Sequence, residues 1–245
     1  VSIARTPNGS FGGGLSSLKA IDLGALVIKE AVARAGIKPT DVQEVFMGNV
    51  LQANTGQAPA RQAAIKAGLP YNVPCTTVNK VCASGMKAIM FGAQAIALGD
   101  QDVVVCGGME SMSNAPFMVE NARFGIKYGN QTFIDAIVRD GLQDPYNGDM
   151  MGVCGDICAT KYKFSREDQD AYAIESYKRA ATATENGWFK DEIVPVAIPQ
   201  RKGDPIIVDK DEDFSKVSYD KIASLRPAFA KDGTVTAANA SNLND

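Results

Sequence analysis

An alternation of helical and extended patterns between residues 21 and 108 constrains the fold of this chain more than any other feature. Apolar residues recur at helical spacing in three segments that end at or next to a glycine: 21–36, 58–69 and 84–99. Short apolar runs predict strands at 42–52, 74–81 and 102–108. Such alternation is typical of a sheet covered by helices on both faces. We therefore predict an α/β fold with a layered α-β-α core and a mixed, mainly parallel sheet. Because 84–99 is apolar nearly all round, we expect its neighbours to bury it.

The pattern changes after the third predicted strand. Residues 113 to about 160 are irregular and rich in Met, Asn, Gly and aromatic residues. A helix is then predicted over 165–187, where Ser165 and Asp168 have the spacing of a capping box. Further sheet character is predicted at 192–198, 205–208 and 233–241. We interpret residues 113–240 as an insertion carried by the α/β core.

Composition and charge argue against several classes of function. The chain has 245 residues, of which 45% are hydrophobic and 22% charged, and its net charge of −3 offers no basic field for nucleic acid. No apolar stretch approaches the roughly 18 residues of a membrane span, so no membrane partner is expected. The sequence begins at Val1 without a Met or a targeting segment, and we expect both ends to be cut. A cytoplasmic location is expected, with the mitochondrial matrix left open because of the cut N-terminus.

Five cysteines indicate free thiols in a reducing compartment, because an odd number in a chain of this length does not suit a disulfide framework. Cys154 and Cys158 are four residues apart and could share a helix face. Two thiolates in a chain without histidine make a poor zinc site. We therefore predict no metal and interpret this pair as small, buried packing residues.

Cys82 is the candidate nucleophile. It stands in "VNKVCASGMKA", where an extended run becomes a helix, and Ala83, Ser84 and Gly85 leave room for a substrate. A helix N-terminus favours the thiolate, which is the reactive form. The alternative is a small packing residue at a helix start. The run "GGMESMSN" (107–114) follows a strand, and its glycines suit a backbone held close to another segment or a ligand.

Seven blocks of the sequence resemble the thiolase family. They are "RTPNGSFGG", "MGNVLQANTGQAPARQAA", "TTVNKVCASGMKAIM", "GGMESMSNAP", "SREDQDAYAIESYKRA", "DEIVPV" and "GTVTAANASNLND". They stand in the family's order and cover nearly the whole chain. The form "NKVCASGMKA" with "GGMESMSN" is similar to the acetyl-CoA C-acetyltransferase, or biosynthetic, branch. The resemblance implies the N-terminal half of the thiolase fold over 1–245, with the insertion as its loop domain.

The resemblance also implies a reaction and its participants. Cys82 would accept an acetyl group from acetyl-CoA, and a second acetyl-CoA would then attack in a reversible Claisen condensation to acetoacetyl-CoA and free CoA. No cofactor would be required, since CoA is part of substrate and product. The complete protein would be a homodimer or homotetramer. The positions that match the family's CoA contacts are Met151, Leu225, Ala237, Ala240 and Ser241, with Ser241 at the pantetheine arm.

The sequence departs from the family's pattern in two ways. Met150 stands where the family usually has a histidine, which removes a polar contact near the pantetheine. The catalytic His and second catalytic Cys of thiolases belong to a C-terminal domain whose motifs are absent from this chain. We expect that domain to lie beyond residue 245 and the 245-residue chain alone to be inactive.

Two other hypotheses stay open at this point. A sister condensing enzyme, such as a ketoacyl synthase or a hydroxymethylglutaryl-CoA synthase, would share the fold and a nucleophilic cysteine, although the motifs around Cys82 favour a thiolase. A non-catalytic CoA-binding or assembly module built from one thiolase half is the second alternative.

Overall fold

The computed structural model describes residues 1–245, and its centre is a three-stranded parallel sheet with helices on both faces. The core elements are helix α1 (Ala20–Arg34), strand β1 (Glu44–Gly48), helix α2 (Pro59–Lys66), strand β2 (Cys75–Val78), helix α3 (Ser84–Leu98) and strand β3 (Val104–Gly108). The strand order is β2-β1-β3, so that Val45 of β1 pairs with Cys75 on one side and with Val105 on the other. The predicted α/β core is confirmed, with each element within a few residues of its predicted bounds.

The two faces of β1 pack against different helices. Val45 and Met47 are fully buried in a cluster that α1 and α2 complete, with small residues of α2 allowing close approach. Phe46 points to the opposite face, where its ring lies 5.9 Å from that of Phe91 on α3. This alternation follows from the two-residue period of a strand.

Helix α3 is half exposed, so the expectation that neighbours bury it all round is wrong. Only three of its residues are buried: Ser84, Ala88 and Gly92. These small residues lie on the face toward the sheet and allow the helix to pack closely on β1 and β3. The opposite face exposes large apolar side chains, which include Met86, Ile89, Ile96 and Leu98.

The same helix corrects the expectation that no apolar stretch approaches the length of a membrane span. Val81–Leu98 comprises 18 residues and is apolar enough to cross a membrane by length and composition alone. A single helix of this kind is a weak indication of a membrane span, because helices in the cores of globular proteins can have the same length and composition.

The remaining elements lie within the predicted insertion, apart from a one-turn 3₁₀ helix at Pro39–Asp41 and a short helix that begins at Met112, one residue before the insertion. They are strands β4 (Phe117–Met118) and β5 (Ile134–Asp135), helices α4 (Met151–Tyr162) and α5 (Arg166–Glu185), and strands β6 (Val196–Ile198) and β7 (Ile206–Val208). β4 pairs with β5 and β6 with β7, both antiparallel. Short helices lie at Met112–Asn114, Ala122–Phe124, Ile137–Leu142, Asp213–Lys216 and Tyr219–Ser224. The boundaries of the insertion at 113 and 240 stay a prediction.

Helix α5 begins as predicted. The Ser165 hydroxyl accepts a hydrogen bond from the Asp168 amide at 3.0 Å, and the Asp168 carboxylate accepts one from the Ser165 amide at 3.1 Å. This capping box satisfies amide groups that have no partner within the helix.

Two expectations within the insertion are wrong. The sequence predicts an irregular segment up to about residue 160, but residues 151–162 form α4, whose small and apolar residues lack a clear helical period in the sequence. The sequence predicts sheet structure at 233–241, but these residues contain no strand. The amides of Thr234 and Val235 donate to the buried Asp156 carboxylate instead, and these two bonds take the place of strand pairing.

The structure also contradicts the interpretation of the two cysteines on α4 as buried packing residues. Cys154 and Cys158 are both exposed, so they do not serve as buried packing residues. No group of three or more His, Cys, Asp or Glu residues is arranged to hold a metal ion.

Candidate active site

Three residues that follow the parallel strands line one cavity of about 510 Å³. Asn49 comes directly after β1, Glu110 comes two residues after β3, and Cys82 lies between β2 and α3. The carboxyl ends of parallel strands meet at one edge of a sheet, which is where ligands bind in many α/β proteins. The sheet topology therefore brings together side chains that are far apart in the sequence.

Cys82 lies in a tight turn before α3. The preceding residue, Val81, has a φ of 49°, a left-handed conformation that is rare for a β-branched residue. The Ser84 hydroxyl accepts a hydrogen bond from the Lys80 amide at 2.8 Å and donates to the Val81 carbonyl at 2.6 Å. The Asn79 side chain accepts from the Val81 amide at 3.0 Å. These bonds hold the strained turn and leave Cys82 exposed, as the predicted strand–turn–helix requires.

Glycine contacts set how closely the start of α3 approaches the sheet. A Cβ atom at Gly48 would lie 2.5 Å from the backbone nitrogen of Gly85, and one at Gly108 would lie 3.3 Å from the Gly85 Cα. The ends of β1 and β3 thus touch the first turn of α3. The prediction that the glycines of 107–114 bring the backbone close to another segment is confirmed at Gly108. This contact fixes where the turn with Cys82 stands.

The Glu110 carboxylate links the segments after β1 and β3, and it was not singled out in the sequence. It accepts hydrogen bonds from the Val50 amide at 2.8 Å, the Leu51 amide at 3.2 Å and the Asn49 side chain at 2.8 Å. Burial raises the pKa of Glu110, although the three donors act in the opposite direction. Its signal in the sequence is a charged residue two positions after a strand that ends in two glycines.

The titratable side chains that share the cavity with Cys82 are Arg5, Glu110 and Asp245. Arg5 is paired with Asp211 at 2.7 Å and with Glu192 at 2.6 Å. Glu110 is bound to backbone amides, and Asp245 accepts hydrogen bonds from the amide and hydroxyl of Ser113. Each of these groups is therefore held by other partners, and the chain contains no histidine.

The predicted CoA contacts lie outside this cavity, on α4 and on segments that are held by side chains of α4 or α5. Met151 is the exposed first residue of α4, and the next residue, Gly152, packs directly on the ring of Phe229. Leu225 follows the short helix at Tyr219–Ser224, and Ala237, Ala240 and Ser241 lie in or next to the turn after Thr236. Asn242, the neighbour of Ser241, lines the Cys82 cavity. Contact of these five residues with CoA stays a prediction.

Side chains of α4 and α5 hold the segment that carries three of these residues. The Asn239 side chain donates to Asp170 of α5 at 2.9 Å and accepts from the Thr236 amide at 2.7 Å. Asp156 of α4 accepts from the Thr234 and Val235 amides. Thr236 is fully buried. The turn at 237–240 is thereby fixed against both helices.

Met150 is the residue that stands where thiolases usually have histidine. It precedes α4 in an extended conformation, is half-buried and gives α4 no side-chain cap. Its backbone forms an antiparallel bridge with Gln143.

Comparisons with known proteins agree on one family. The family model described as "Thiolase, N-terminal domain" matches residues 1–245. A probable acetyl-CoA acetyltransferase of Dictyostelium discoideum is 60% identical over 245 residues, which is all of this chain and 59% of the relative. The cytosolic acetyl-CoA acetyltransferase ERG10 of Gibberella zeae is 56% identical over 246 residues, which is all of this chain and 62% of the relative.

A solved structure with the same fold is the Acat5 thiolase from Ascaris suum in complex with coenzyme A. It has a TM-score of 0.94 and 45% sequence identity, and the match covers all of this chain and 62% of that one. The chain thus spans 59 to 62% of the length of these relatives.

Proposed function

Because this chain belongs to the thiolase family, we propose that it supplies the acyl-accepting cysteine of an acetyl-CoA acetyltransferase. The observation that carries the proposal is the exposed thiol of Cys82. This residue lies in a strained turn at the N-terminus of α3 and lines a cavity at the ends of the strands. A nucleophile in such a turn is open to a substrate, while its small neighbours allow the thioester to approach.

The proposed reaction has two halves. The Cys82 thiolate attacks the carbonyl carbon of acetyl-CoA, the bond from that carbon to the CoA sulfur breaks, and CoA leaves as a thiolate that takes up a proton. A base then removes a proton from the methyl carbon of a second acetyl-CoA. The resulting carbanion attacks the acetyl carbon on Cys82, so acetoacetyl-CoA forms and the cysteine leaves as a thiolate. Covalent catalysis divides one difficult condensation into two easier steps.

The groups that move protons in this reaction are proposed to come from outside residues 1–245. The curated relatives are longer than this chain, and Arg5, Glu110 and Asp245 in the cavity are all engaged by other partners. A His and a second Cys, which the family resemblance implies, would serve as these groups. The acyl-transfer chemistry itself requires no redox cofactor.

CoA is proposed to bind along α4 and the segment after Thr236. Met151, Leu225, Ala237, Ala240 and Ser241 would contact it, with Ser241 next to the pantetheine arm. Support comes from the packing of Gly152 on Phe229 and from the position of Asn242 in the Cys82 cavity. A neighbour with the same fold is a complex with coenzyme A. A cytoplasmic location is proposed, and one relative is named as cytosolic.

The protein is further proposed to be a homodimer or homotetramer. Several large apolar side chains between β4 and β5, and at their ends, are exposed: Phe117, Phe124, Ile126, Tyr128 and Phe133. Exposed apolar patches of this kind mark contact surfaces. Sedimentation of the full-length gene product at micromolar concentration is expected to give a dimer or tetramer, and a monomer would contradict this part of the proposal.

Acetyl transfer tests the central claim. The full-length gene product is incubated with acetyl-CoA radiolabelled in its acetyl group, digested and mapped by mass spectrometry. Label is expected on the peptide that contains Cys82 and is expected to disappear in Cys82→Ala. The matched control Cys158→Ala, which removes another exposed thiol, is expected to retain it. Label that persists in Cys82→Ala would refute the assignment, and CoA binding without any label would favour a non-catalytic module.

A further inference from the structure

The Glu110 side chain joins the segments that follow β1 and β3, beyond the point where the backbone pairing of the two strands ends. β1 and β3 are paired up to Gly48 and Gly108, after which their chains separate. Beyond that point the Glu110 carboxylate accepts hydrogen bonds from three consecutive residues of the segment after β1, Asn49, Val50 and Leu51. The Asn49 side chain returns a bond to the Met109 carbonyl at 3.2 Å. The two segments that follow the strands are thus joined by side chains.

A contribution to stability does not by itself account for the pairing of Glu110 with Asn49. Asn49 is only 1% exposed, and its side-chain oxygen has no hydrogen-bond partner. A buried polar atom without a partner costs about 1–3 kcal/mol. The Glu110 carboxylate is half-buried, and withdrawing a charge from water costs free energy that its hydrogen bonds must offset. Burial raises the pKa of Glu110, which reflects the cost of keeping this carboxylate ionised.

The location of Glu110 and Asn49 indicates their role. Glu110, Asn49, Val50 and Leu51 all line the cavity that Cys82 lines. Gly48, the residue before Asn49, touches the first turn of α3. A shift of residues 49–51 would therefore change the cavity wall next to Cys82 and the surface on which the turn with Cys82 rests.

We propose that Glu110 is a positioning residue, whose carboxylate ties residues 49–51 to the end of β3 and so holds the cavity wall that faces Cys82. It acts through the backbone of Val50 and Leu51 and does not itself react. Its effect on acyl transfer rests on the proposed function, whereas its effect on the accessibility of Cys82 does not.

The first experiment measures alkylation of the purified 245-residue chain by iodoacetamide. Rates at Cys82 and at Cys158 are followed by mass spectrometry in the same molecules, well below the unfolding temperature. In Glu110→Ala and Glu110→Gln, the ratio of the Cys82 rate to the Cys158 rate is expected to rise at least threefold, because the released wall opens the cavity side of a thiol that is already exposed to solvent. Global destabilisation would raise both rates together. Glu110→Gln keeps the side-chain volume and serves where Glu110→Ala fails to fold.

The second experiment measures acetoacetyl-CoA cleavage by the full-length gene product. Both Glu110 variants are expected to lower kcat at least tenfold with less than threefold change in KM, because the wall adjoins the reacting cysteine. Glu175→Gln, which alters an exposed carboxylate paired with Arg179 on α5, is the matched control and is expected to retain full activity.

The outcomes separate the two claims. An unchanged rate ratio in both variants would overturn the positioning role whatever the turnover. A raised ratio with no turnover in the unaltered protein would support the positioning role and refute the proposed function. A raised ratio together with unchanged kcat would show that the wall does not matter to the reaction, and would overturn the proposal.

Discussion

Single residues with unusual backbone constraints set the position of Cys82. Val81 adopts a left-handed conformation, and Gly48 and Gly108 allow the backbone of α3 to lie against the ends of two strands. At Gly48 the hypothetical Cβ would meet backbone atoms of Ser84 and Gly85, which cannot rotate aside as a flexible side chain can. A substitution there must move the first turn of α3, and Cys82 with it.

We therefore predict that Gly48→Ala lowers the free energy of unfolding by about 1–3 kcal/mol, the usual cost of overpacking. Urea denaturation followed by circular dichroism measures it. Gly141→Ala is the matched control, because a Cβ at Gly141 would lie 3.4 Å from a Leu51 methyl group, an ordinary contact distance. Equal effects of the two substitutions would show that the approach of α3 to β1 is not constrained by Gly48.

At the scale of elements, α3 shows that apolar composition does not say which face of a helix is buried. Its small residues face the sheet, and its large apolar residues face outward. Burial of a large side chain normally stabilises a fold, and an exposed one contributes little. The sensitivity of α3 to substitution should thus be the reverse of what residue size suggests.

In the 245-residue chain, Ala88→Leu is predicted to lower the free energy of unfolding by about 1–3 kcal/mol, because Ala88 is fully buried. Leu98→Gln is predicted to change it by less than about 0.5 kcal/mol, because Leu98 is 77% exposed. Thermal and urea unfolding of both variants provide the comparison. A larger cost for Leu98→Gln would mean that the outer face of α3 is covered in solution.

At the scale of the whole molecule, a carboxylate network joins residues 8–14 to the segment around 211–213. Glu212 accepts hydrogen bonds from the Ser10 and Gly14 amides, and Asp213 accepts from the Ser10 hydroxyl and from Asn244. Burial alone would raise the pKa values of Glu212 and Asp213, but these hydrogen bonds and Lys216 outweigh it and lower both. A small apolar cluster of Leu15, Leu23, Val196 and Ile198 strengthens the same junction.

Acid is therefore predicted to destabilise the protein. A carboxylate whose pKa is lowered by folding contributes stability above its unfolded value, near pH 4, and loses it as the pH falls through its folded value. The unfolding temperature is expected to drop as the pH falls below about 4, and to drop less steeply in Asp213→Asn. Glu110 acts with the opposite sign, since its raised pKa favours the fold when it is protonated. Calorimetry between pH 3 and pH 7, a range that spans roughly the carboxylate pKa values, measures how the unfolding temperature depends on pH and so tests the direction of both effects.

The 245-residue chain alone is predicted to show no thiolase turnover. No side chain that shares the cavity with Cys82 is free to take its proton, and general base catalysis is typically worth about 10²–10⁴-fold. CoA release from acetoacetyl-CoA is measured beside a full-length relative. Activity within about tenfold of that relative, well inside the range that a missing base should cost, would show that one of the residues described as structural serves as the base.

Local sequence patterns determined the α/β core and the place of Cys82 in it. Helical spacing, β-branched runs and terminal glycines are properties of neighbouring residues, so α1, α2, α3 and the three strands could be predicted within a few residues. The small residues after Cys82 likewise predicted its exposed turn before α3. The capping box of α5 was predictable because both of its residues lie within one helical turn.

Only the tertiary structure decided which face of α3 is buried, that residues 151–162 form a helix, and that 233–241 is not a strand. It alone showed that Glu110 lines the same cavity as Cys82. The physical reason is the same in each case, since these features depend on contacts between residues far apart in the chain. Asn49 and Glu110 are separated by 61 positions, and Asp156 and Thr234 by 78. Such side chains satisfy backbone amides that the local pattern would have assigned to a strand or left to solvent.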